Sequence, residues 1–291
     1  MLKGFRVKQS LAIFGLALTV WAGGAQLEEA RKLYQLTEFE QSLHILQSIP
    51  EKARDGATWE LIGQNHYGQA DYKKATDALE KAAALEPDNA GIQLWLGRAW
   101  GRRAETSSMI TAPGYASKAR QCFEKSAHLD PNNLDAQSDL FEYYLEAPGF
   151  LGGGFDKASA TAAQIARINP AEGHWAQAKL AEKRKEFSSA EEQLRRAIEI
   201  APHQVGRFID LAKLLTKQGR LQEADQSLAR AEQINPDSPK LIFARADLYI
   251  RTGRNLSEAR QLLKRYLSMT LSPDDPSRSQ AEKLLRQAQG G

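Results

Sequence analysis

Apolar residues recur along most of the chain at the three- and four-residue spacing of amphipathic helices, and the helices fall into pairs. The pattern is clearest in the stretch 56–89, where Gly63 in a first helix and Ala75 in a second lack bulk. We expect the two antiparallel helices to approach most closely at these small residues. The space around them is predicted to be filled by Trp59, Ile62, Leu79 and Leu85. A single helix pair of this length is marginal in water, so the pattern predicts stacked copies.

Seven such pairs follow one another. We place them at about 25–55, 56–89, 90–133, 134–170, 171–204, 205–238 and 239–273. Asp275 and Pro276 then have the order of a helix N-cap and a first-turn proline, and 276–291 is predicted to be a capping helix with one apolar stripe. The fold is therefore expected to be all-α, a solenoid of about seven helix pairs plus a C-terminal helix.

This arrangement resembles the tetratricopeptide repeat, whose 34-residue pattern contains W-x-x-L-G-x-x-Y, A-x-x-x-F and a closing P. The second copy follows that pattern with Trp59, Ile62, Gly63, His66, Ala75, Leu79 and Pro87. The resemblance implies a right-handed superhelix whose concave surface is lined mainly by the first helix of each pair. It also implies a scaffold that binds other proteins and is not an enzyme.

The third and fourth copies carry about ten and about five extra residues between their helices. Each insertion contains an Ala-Pro-Gly-aromatic run, at 112–115 and at 147–150, so the sequence predicts two similarly elaborated turns. We expect Tyr115, Phe150 and Leu151 to be exposed on these turns and to form a patch that meets a partner.

The second insertion continues into glycines 152–154 and matches the first half of a phosphate-binding loop, G-x-x-x-x-G. Phe155 and Asp156 stand where that loop requires Lys and Ser or Thr, and the preceding segment is helical instead of extended. The sequence therefore favours a structural turn over nucleotide binding. Ligand binding at this turn stays an alternative.

Residues 1–25 have the features of an export signal, because three basic residues precede an apolar stretch, 11–21, and a run of small residues, 22–25. The apolar stretch is shorter than the roughly 20 residues that span a bilayer. We expect cleavage near Ala25 and an exported protein of the cell envelope, in the periplasm. An uncleaved membrane anchor is the alternative.

Composition narrows the choice of function. The chain is 42% hydrophobic and 26% charged, which is typical of a folded protein and excludes a disordered one. Beyond residue 25 it has 36 basic and 36 acidic residues, a balance that does not favour nucleic acid. The charge is uneven, with 15 basic and 20 acidic residues in 26–170 against 21 and 16 in 171–291, so head-to-tail self-assembly is an alternative to a scaffold.

Candidate residues for catalysis or metal binding are scattered. The five histidines fall in different copies, with neither an H-E-x-x-H run nor a Cys-His set for zinc. Cys122 is the only cysteine, so no intrachain disulfide can form. The sequence predicts no catalytic residues, no metal site and no cofactor.

The concave surface implied by the resemblance is the best candidate for a functional site. Lys179 and Lys183 are equivalent to Lys213 and Lys217 in the next copy, and Trp175 lies beside them. They predict a basic strip with an aromatic floor, suited to an extended acidic peptide or a chain-terminal carboxylate. Other residues expected on this surface are Tyr67, Leu94, Arg98, Arg102 and Arg251. The alternative is that these charges serve solubility alone. The clamp that the family uses for chaperone tails also needs Asn, which is missing from the matching positions, so that ligand is not predicted.

Overall fold

The computed structural model describes residues 24–289, and within that range the chain is helical, with no β-strand. The fifteen α-helices of this range are α1 (24–35), α2 (Phe39–Ser48), α3 (Gly56–Gly68), α4 (Tyr72–Leu85), α5 (Ala90–Glu105), α6 (Ala112–Leu129), α7 (Leu134–Glu146), α8 (Phe155–Ile168), α9 (Pro170–Lys183), α10 (Phe187–Ile200), α11 (Val205–Lys217), α12 (Leu221–Ile234), α13 (Pro239–Arg251), α14 (Leu256–Ser268) and α15 (Arg278–Gln289). The predicted all-α class is confirmed. The predicted export signal, apart from its last two residues, lies outside the described residues.

The chain divides into two compact units, Met1–Cys122 and Phe123–Gly291, here called unit 1 and unit 2. Within each unit, consecutive helices pack side by side, for example α3 with α4 in unit 1 and α9 with α10 in unit 2. The second helix of one pair also packs on the first helix of the next, as α4 does on α5 and α10 on α11. Each unit is therefore a stack of helix pairs, as the solenoid prediction requires. In the part of the chain that is described, no helix is both long enough and apolar enough to cross a membrane.

Small residues set the distance between the paired helices. A methyl group added at Gly63 on α3 would lie 2.4 Å from the side chain of Leu79 on α4, and Ala75 is fully buried in the same contact region. Gly173 makes a similar close contact between successive pairs, because a methyl group there on α9 would lie 2.4 Å from Ala166 on α8 of the preceding pair. The predicted close contact at Gly63 is confirmed. Leu85 is the exception, since α4 ends at this residue and its side chain is 56% exposed instead of filling the contact.

Five of the turns that join the helices of a pair end in one backbone arrangement. The residues with left-handed φ angles are Thr37, Ala70, Lys185, Gly219 and Gly253. In each turn the next residue donates its N–H to the carbonyl five residues earlier, as Glu186 does to Ala181 at 2.9 Å. These are Schellman motifs, which satisfy the last carbonyls of the first helix and start the chain into the second.

We expect Lys185→Gly to raise the free energy of unfolding. Lys185 has φ 62° and is exposed, so the substitution removes steric strain without removing a packed side chain. A left-handed conformation costs a residue with a Cβ about 1 kcal/mol, so the expected gain in urea denaturation is about 0.5–1 kcal/mol. Gly219→Ala is the matched control in the next copy, where φ is 74°, and it should lower stability by a similar amount. A loss of stability in Lys185→Gly would contradict this account of the turns.

The two Ala-Pro-Gly-aromatic runs adopt different structures, and the prediction of two similar turns is wrong. The run at 112–115 forms the first turn of α6, where proline is tolerated because early N–H groups have no partner within the helix. The third copy absorbs its extra residues by lengthening α5 to 16 and α6 to 18 residues. The run at 147–150 stays outside α7 and α8 and leads into a short 3₁₀ turn, Gly149–Leu151, followed by Gly152 with φ 86°.

The C-terminal helix is present as predicted but begins later. α15 starts at Arg278, and Ser277 is its cap: the Ser277 hydroxyl accepts the N–H of Gln280 at 3.3 Å, and the Gln280 side chain accepts the N–H of Ser277 at 2.8 Å. This is a capping box. Asp275, predicted as the cap, instead accepts the N–H and hydroxyl of Ser272, each at 2.8 Å. Buried Ala281 packs α15 into the last core cluster of unit 2.

Candidate functional site

The lysines predicted to form a basic strip lie on α9 and α11 of unit 2, but most of them have acidic partners. Lys183 lies 2.7 Å from Glu146 on α7. Lys217 contacts Glu182 on α9, and Lys179 lies 3.9 Å from the same Glu182. The pairs of Lys183 and Lys217 link the first helices of neighbouring copies, whereas that of Lys179 lies within α9. The predicted basic strip is therefore largely balanced by glutamates, and Lys213 is exposed.

Trp175 does not form an exposed aromatic floor. Its side chain is 8% exposed, because the ring packs 5.8 Å from the ring of Phe141 on α7 and lies under the guanidinium of Arg207 at 5.0 Å. Arg251, expected on the same kind of surface, pairs with Asp247 of its own helix at 2.7 Å. In unit 2 the predicted residues are therefore dispersed among core packing and local ion pairs.

In unit 1, by contrast, the predicted residues Tyr67, Arg98 and Arg102 lie together. Tyr72 and Trp95, which were not predicted, lie with them. Tyr67 meets the rings of Tyr72 and Trp95 edge-on, with centroids 5.5 and 5.6 Å away. The guanidinium of Arg98 lies over Trp95 at 5.1 Å, and that of Arg102 lies over Tyr72 at 5.4 Å. Arg102 also donates a hydrogen bond to the Tyr72 hydroxyl at 3.3 Å. All five side chains are partly exposed, and we call them the aromatic–arginine cluster.

Local sequence explains how the cluster forms. Trp95, Arg98 and Arg102 are three and four residues apart on α5, so they occupy one stripe of the helix. Tyr67 comes from the end of α3 and Tyr72 from the start of α4, on either side of one Schellman turn. Cation–π contacts of this kind orient the arginines while leaving their N–H groups near solvent.

The missed residues could have been found from spacing alone. Leu94 was predicted to lie on the binding surface, but it is 5% exposed. Its neighbour Trp95 is the residue that is partly exposed on this surface. Trp95 lies three residues before Arg98, which is the spacing of one helix stripe. Helical spacing around Arg98 and Arg102 was therefore the usable signal.

Two carboxyl groups on first helices have raised pKa values. Partial burial raises the pKa of Glu60 on α3, opposed by Arg31 and reinforced by Glu86. Partial burial likewise raises the pKa of Glu142 on α7, and Asp139 adds to the effect while Lys179 opposes it. Glu142 as a whole is nevertheless exposed, so its carboxylate stays partly hydrated and the effect of the raised pKa on stability should be small.

We expect Glu142→Gln to stabilise the protein near neutral pH and to have little effect at acid pH. A raised pKa means that the folded state binds the proton more tightly than the unfolded chain, so stability is lost as pH rises from the ordinary value of 4.5 through the raised pKa. Glutamine cannot ionise and escapes that loss. Urea denaturation at about pH 4 and about pH 7 measures the difference. Glu192→Gln, on an exposed part of α10, is the control and should change neither value, and equal effects of Glu142→Gln at both pH values would contradict the assignment.

The residues predicted to form a turn patch are divided between the two units. Phe150 in unit 2 is 82% exposed on a loop fixed by two hydrogen bonds, from the Tyr143 hydroxyl to the Leu151 carbonyl and from the Gly154 N–H to the Tyr144 carbonyl. Leu151 is half-buried. Tyr115 in unit 1 is also only partly exposed, because its ring stacks on Trp100 at 5.3 Å.

Among residues 24–289, no three His, Cys, Asp or Glu side chains are grouped so that they could hold a metal ion. The insertion of the third copy does carry two strongly exposed apolar side chains that the sequence analysis missed, Met109 at 93% and Ile110 at 91%. The feature of the sequence that could have indicated these two residues is an apolar pair inside a run of serines and threonines, 106–111.

Comparison with known proteins agrees with the repeat pattern. Residues 61–103 and 215–288 each match a family model described as a tetratricopeptide repeat. The chain is similar to a solved thermophilic tetratricopeptide-repeat protein of Thermus thermophilus, with 19% identity and a TM-score of 0.55 over 67% of this chain and 99% of that one. It is also similar to one from Parabacteroides merdae, with 14% identity and a TM-score of 0.60 over 92% and 99%. Comparison with curated proteins gives no match. Residues 61–103 and 215–288 therefore match the tetratricopeptide repeat, and the chain has the fold of these solved repeat proteins; at this identity the likeness extends to fold alone.

Proposed function

We propose that this tetratricopeptide-repeat chain is a non-catalytic scaffold that binds another protein through the aromatic–arginine cluster of unit 1. The supporting observation is that Tyr67, Tyr72, Trp95, Arg98 and Arg102, from three helices, contact one another and stay partly exposed. Domains of this repeat type generally bind protein partners. Tyrosine, tryptophan and arginine are the residues that most often supply binding energy at protein interfaces.

The chemistry of the cluster favours an extended acidic segment as the partner. Trp95 and the two tyrosines offer contact area, while Arg98 and Arg102 supply N–H donors that suit carboxylates. Arg102 also contacts Glu105 of its own helix, as Lys183 and Lys217 of unit 2 contact glutamates, so an incoming acidic segment would exchange one ion pair for another at each of these cations. Unit 2 is the weaker candidate because Trp175, the aromatic residue beside its lysines, is buried and offers little contact area.

A photo-crosslinking experiment in intact cells tests this assignment. A photoreactive residue at Gln64, on the partly exposed part of α3 one turn before Tyr67, should crosslink the partner, and mass spectrometry then identifies it. The same residue at exposed Lys213 on α11 of unit 2 is the matched control and should give much less product. Equal capture from both positions, or capture from Lys213 alone, would argue against the unit 1 cluster.

We also propose that the protein is exported and acts in the periplasm, which is supported by the sequence features of residues 1–25. Cell fractionation and N-terminal sequencing test this location. A soluble envelope fraction whose first residue lies near Gln26 is the expected result. Full-length protein in the membrane fraction would instead favour an uncleaved anchor.

A further inference from the structure

A cleft of about 540 Å³ opens in unit 1 between the turn 69–73 and the segment 103–115. The turn joins α3 to α4, and the segment runs from the end of α5 to the first turn of α6. The hydroxyl groups of Thr106, Ser107 and Thr111 line the cleft; each donates to a nearby backbone carbonyl and can still accept a hydrogen bond. The cleft is wide open to solvent, so it suits a small polar ligand that stays partly hydrated.

Arg103 supplies a fixed positive charge in the wall of the cleft. Its guanidinium lies 4.5 Å from the ring centre of Tyr115 and 5.0 Å from that of Trp100. One of its nitrogens, Nη1, donates a hydrogen bond at 2.8 Å to the hydroxyl of Thr76, a fully buried residue. In the described part of the chain Arg103 forms no ion pair with a carboxylate. The guanidinium is therefore held in place by neutral groups and keeps donors for an anion.

The remaining charges of the cleft decide which anion fits. Lys73 is paired with Asp77 at 3.2 Å, and Asp71 is paired with Lys74 at 2.9 Å. The hydrogen bond from Lys74 lowers the pKa of Asp71, so Asp71 is negatively charged at neutral pH. Arg103 is thus the charge that no neighbour in the cleft offsets. A ligand with a single negative charge would balance it. A phosphate group with close to two charges would lie near the Asp71 carboxylate without a second cation to offset it.

We propose that this cleft binds a small hydroxylated monocarboxylate, with its carboxylate on Arg103 and its hydroxyl groups on the threonine and serine side chains. An arginine and a carboxylate can form two parallel hydrogen bonds, which gives such a site both affinity and orientation. The first turn of α6 borders the same cleft and adds the partial positive charge of a helix N-terminus. The inference does not depend on which protein binds the aromatic–arginine cluster, although Tyr72 borders both sites.

D-Gluconate and sorbitol form a matched pair of probes, because they differ in a carboxylate against a neutral CH₂OH group. The purified protein is titrated with each while the indole N–H resonance of Trp100 is followed by NMR, with Trp100→Phe used for assignment. Gluconate should shift the resonance saturably and sorbitol should not. Equal effects of the two probes, no saturable shift with gluconate, or tighter binding of inorganic phosphate would overturn the proposal.

Variants locate the binding. Arg103→Gln removes the charge while keeping hydrogen-bonding groups, and it should weaken gluconate binding by about 10-fold or more. Ser107→Leu fills the cleft without removing Arg103 and should do the same, so the test stands even if one variant does not fold. Arg54→Gln, an arginine of the same unit that stacks on Trp59 outside the cleft lining and outside the aromatic–arginine cluster, should leave affinity within about twofold. Unchanged gluconate affinity in Ser107→Leu or in folded Arg103→Gln would overturn the proposal.

Discussion

Replacing Arg207 by alanine is expected to lower the free energy of unfolding by about 3–5 kcal/mol, because it leaves a buried carboxylate without its partner. Glu172 on α9 is 7% exposed, and its carboxylate contacts the guanidinium of Arg207 on α11. After the substitution only the side-chain amide of Gln204, at 3.2 Å, would still donate a hydrogen bond to Glu172. The variant also removes the cation over the ring of Trp175 and the 2.7 Å ion pair with Asp210.

Urea denaturation monitored by tryptophan fluorescence measures this loss. Replacing Glu172 and Arg207 together by methionine should restore part of the stability, because the buried Glu172 carboxylate is gone, while Asp210, whose side chain is 17% exposed, still loses its partner. Arg251→Ala is a matched surface control, since that side chain is 71% exposed and pairs with Asp247, and it should cost less than about 1 kcal/mol. A loss below about 1 kcal/mol in Arg207→Ala would mean that water or another donor already satisfies Glu172.

The helix pairs could be predicted because the information lies close together in sequence. Gly63 and Ala75 are twelve residues apart and meet across one turn, so a pattern of small and apolar residues within a single copy is enough to place both helices. The same holds for Ala281 in the C-terminal helix. The backbone conformation of each turn was harder to predict from the sequence. The runs at 112–115 and 147–150 are alike, but Gly152 and Gly154 follow only the second. Their positive φ angles end the short 3₁₀ turn and separate this run from α8.

The candidate site could be predicted only in part because charge compensation is a property of neighbouring copies. Lys183 and Lys217 align as a basic pair within the sequence, yet Glu146 and Glu182 reach them from the preceding first helices, more than thirty residues earlier. Burial of Trp175 likewise depends on Phe141 in the previous copy. Periodicity placed such residues on a helix face without showing what opposes them there.

These two features together moved the candidate site from unit 2 to unit 1. A binding surface needs side chains that are oriented before the partner arrives and still have contacts to give. Trp175 is oriented but buried, and Lys213 is exposed but stacks on no aromatic ring within residues 24–289. Trp95 and Arg102 meet both requirements, since each is partly exposed and each is held by a neighbouring aromatic ring.

Trp95→Ala is therefore expected to weaken binding of the crosslinked partner by about 30-fold or more, the loss of about 2 kcal/mol that marks an interface hot spot. The substitution removes the ring that contacts both Tyr67 and Arg98, so it disorders the cluster as well as reducing its area. Because the ring is partly exposed, the cost to folding should be smaller than for a fully buried tryptophan. Biolayer interferometry with the identified partner measures the dissociation constant, and urea denaturation checks that the variant stays folded.

Charge reversal separates the two units as binding sites. Arg98→Glu should slow association, and the effect should shrink as salt is added, because a charge near the edge of an interface acts mainly on the association rate. Lys213→Glu together with Lys217→Glu reverses two charges on unit 2 and should leave the dissociation constant within about twofold. If the lysine variant lost the partner while Trp95→Ala kept it, the binding surface would be the α9 and α11 face of unit 2, and an incoming acidic segment would have to displace Glu182 from Lys217.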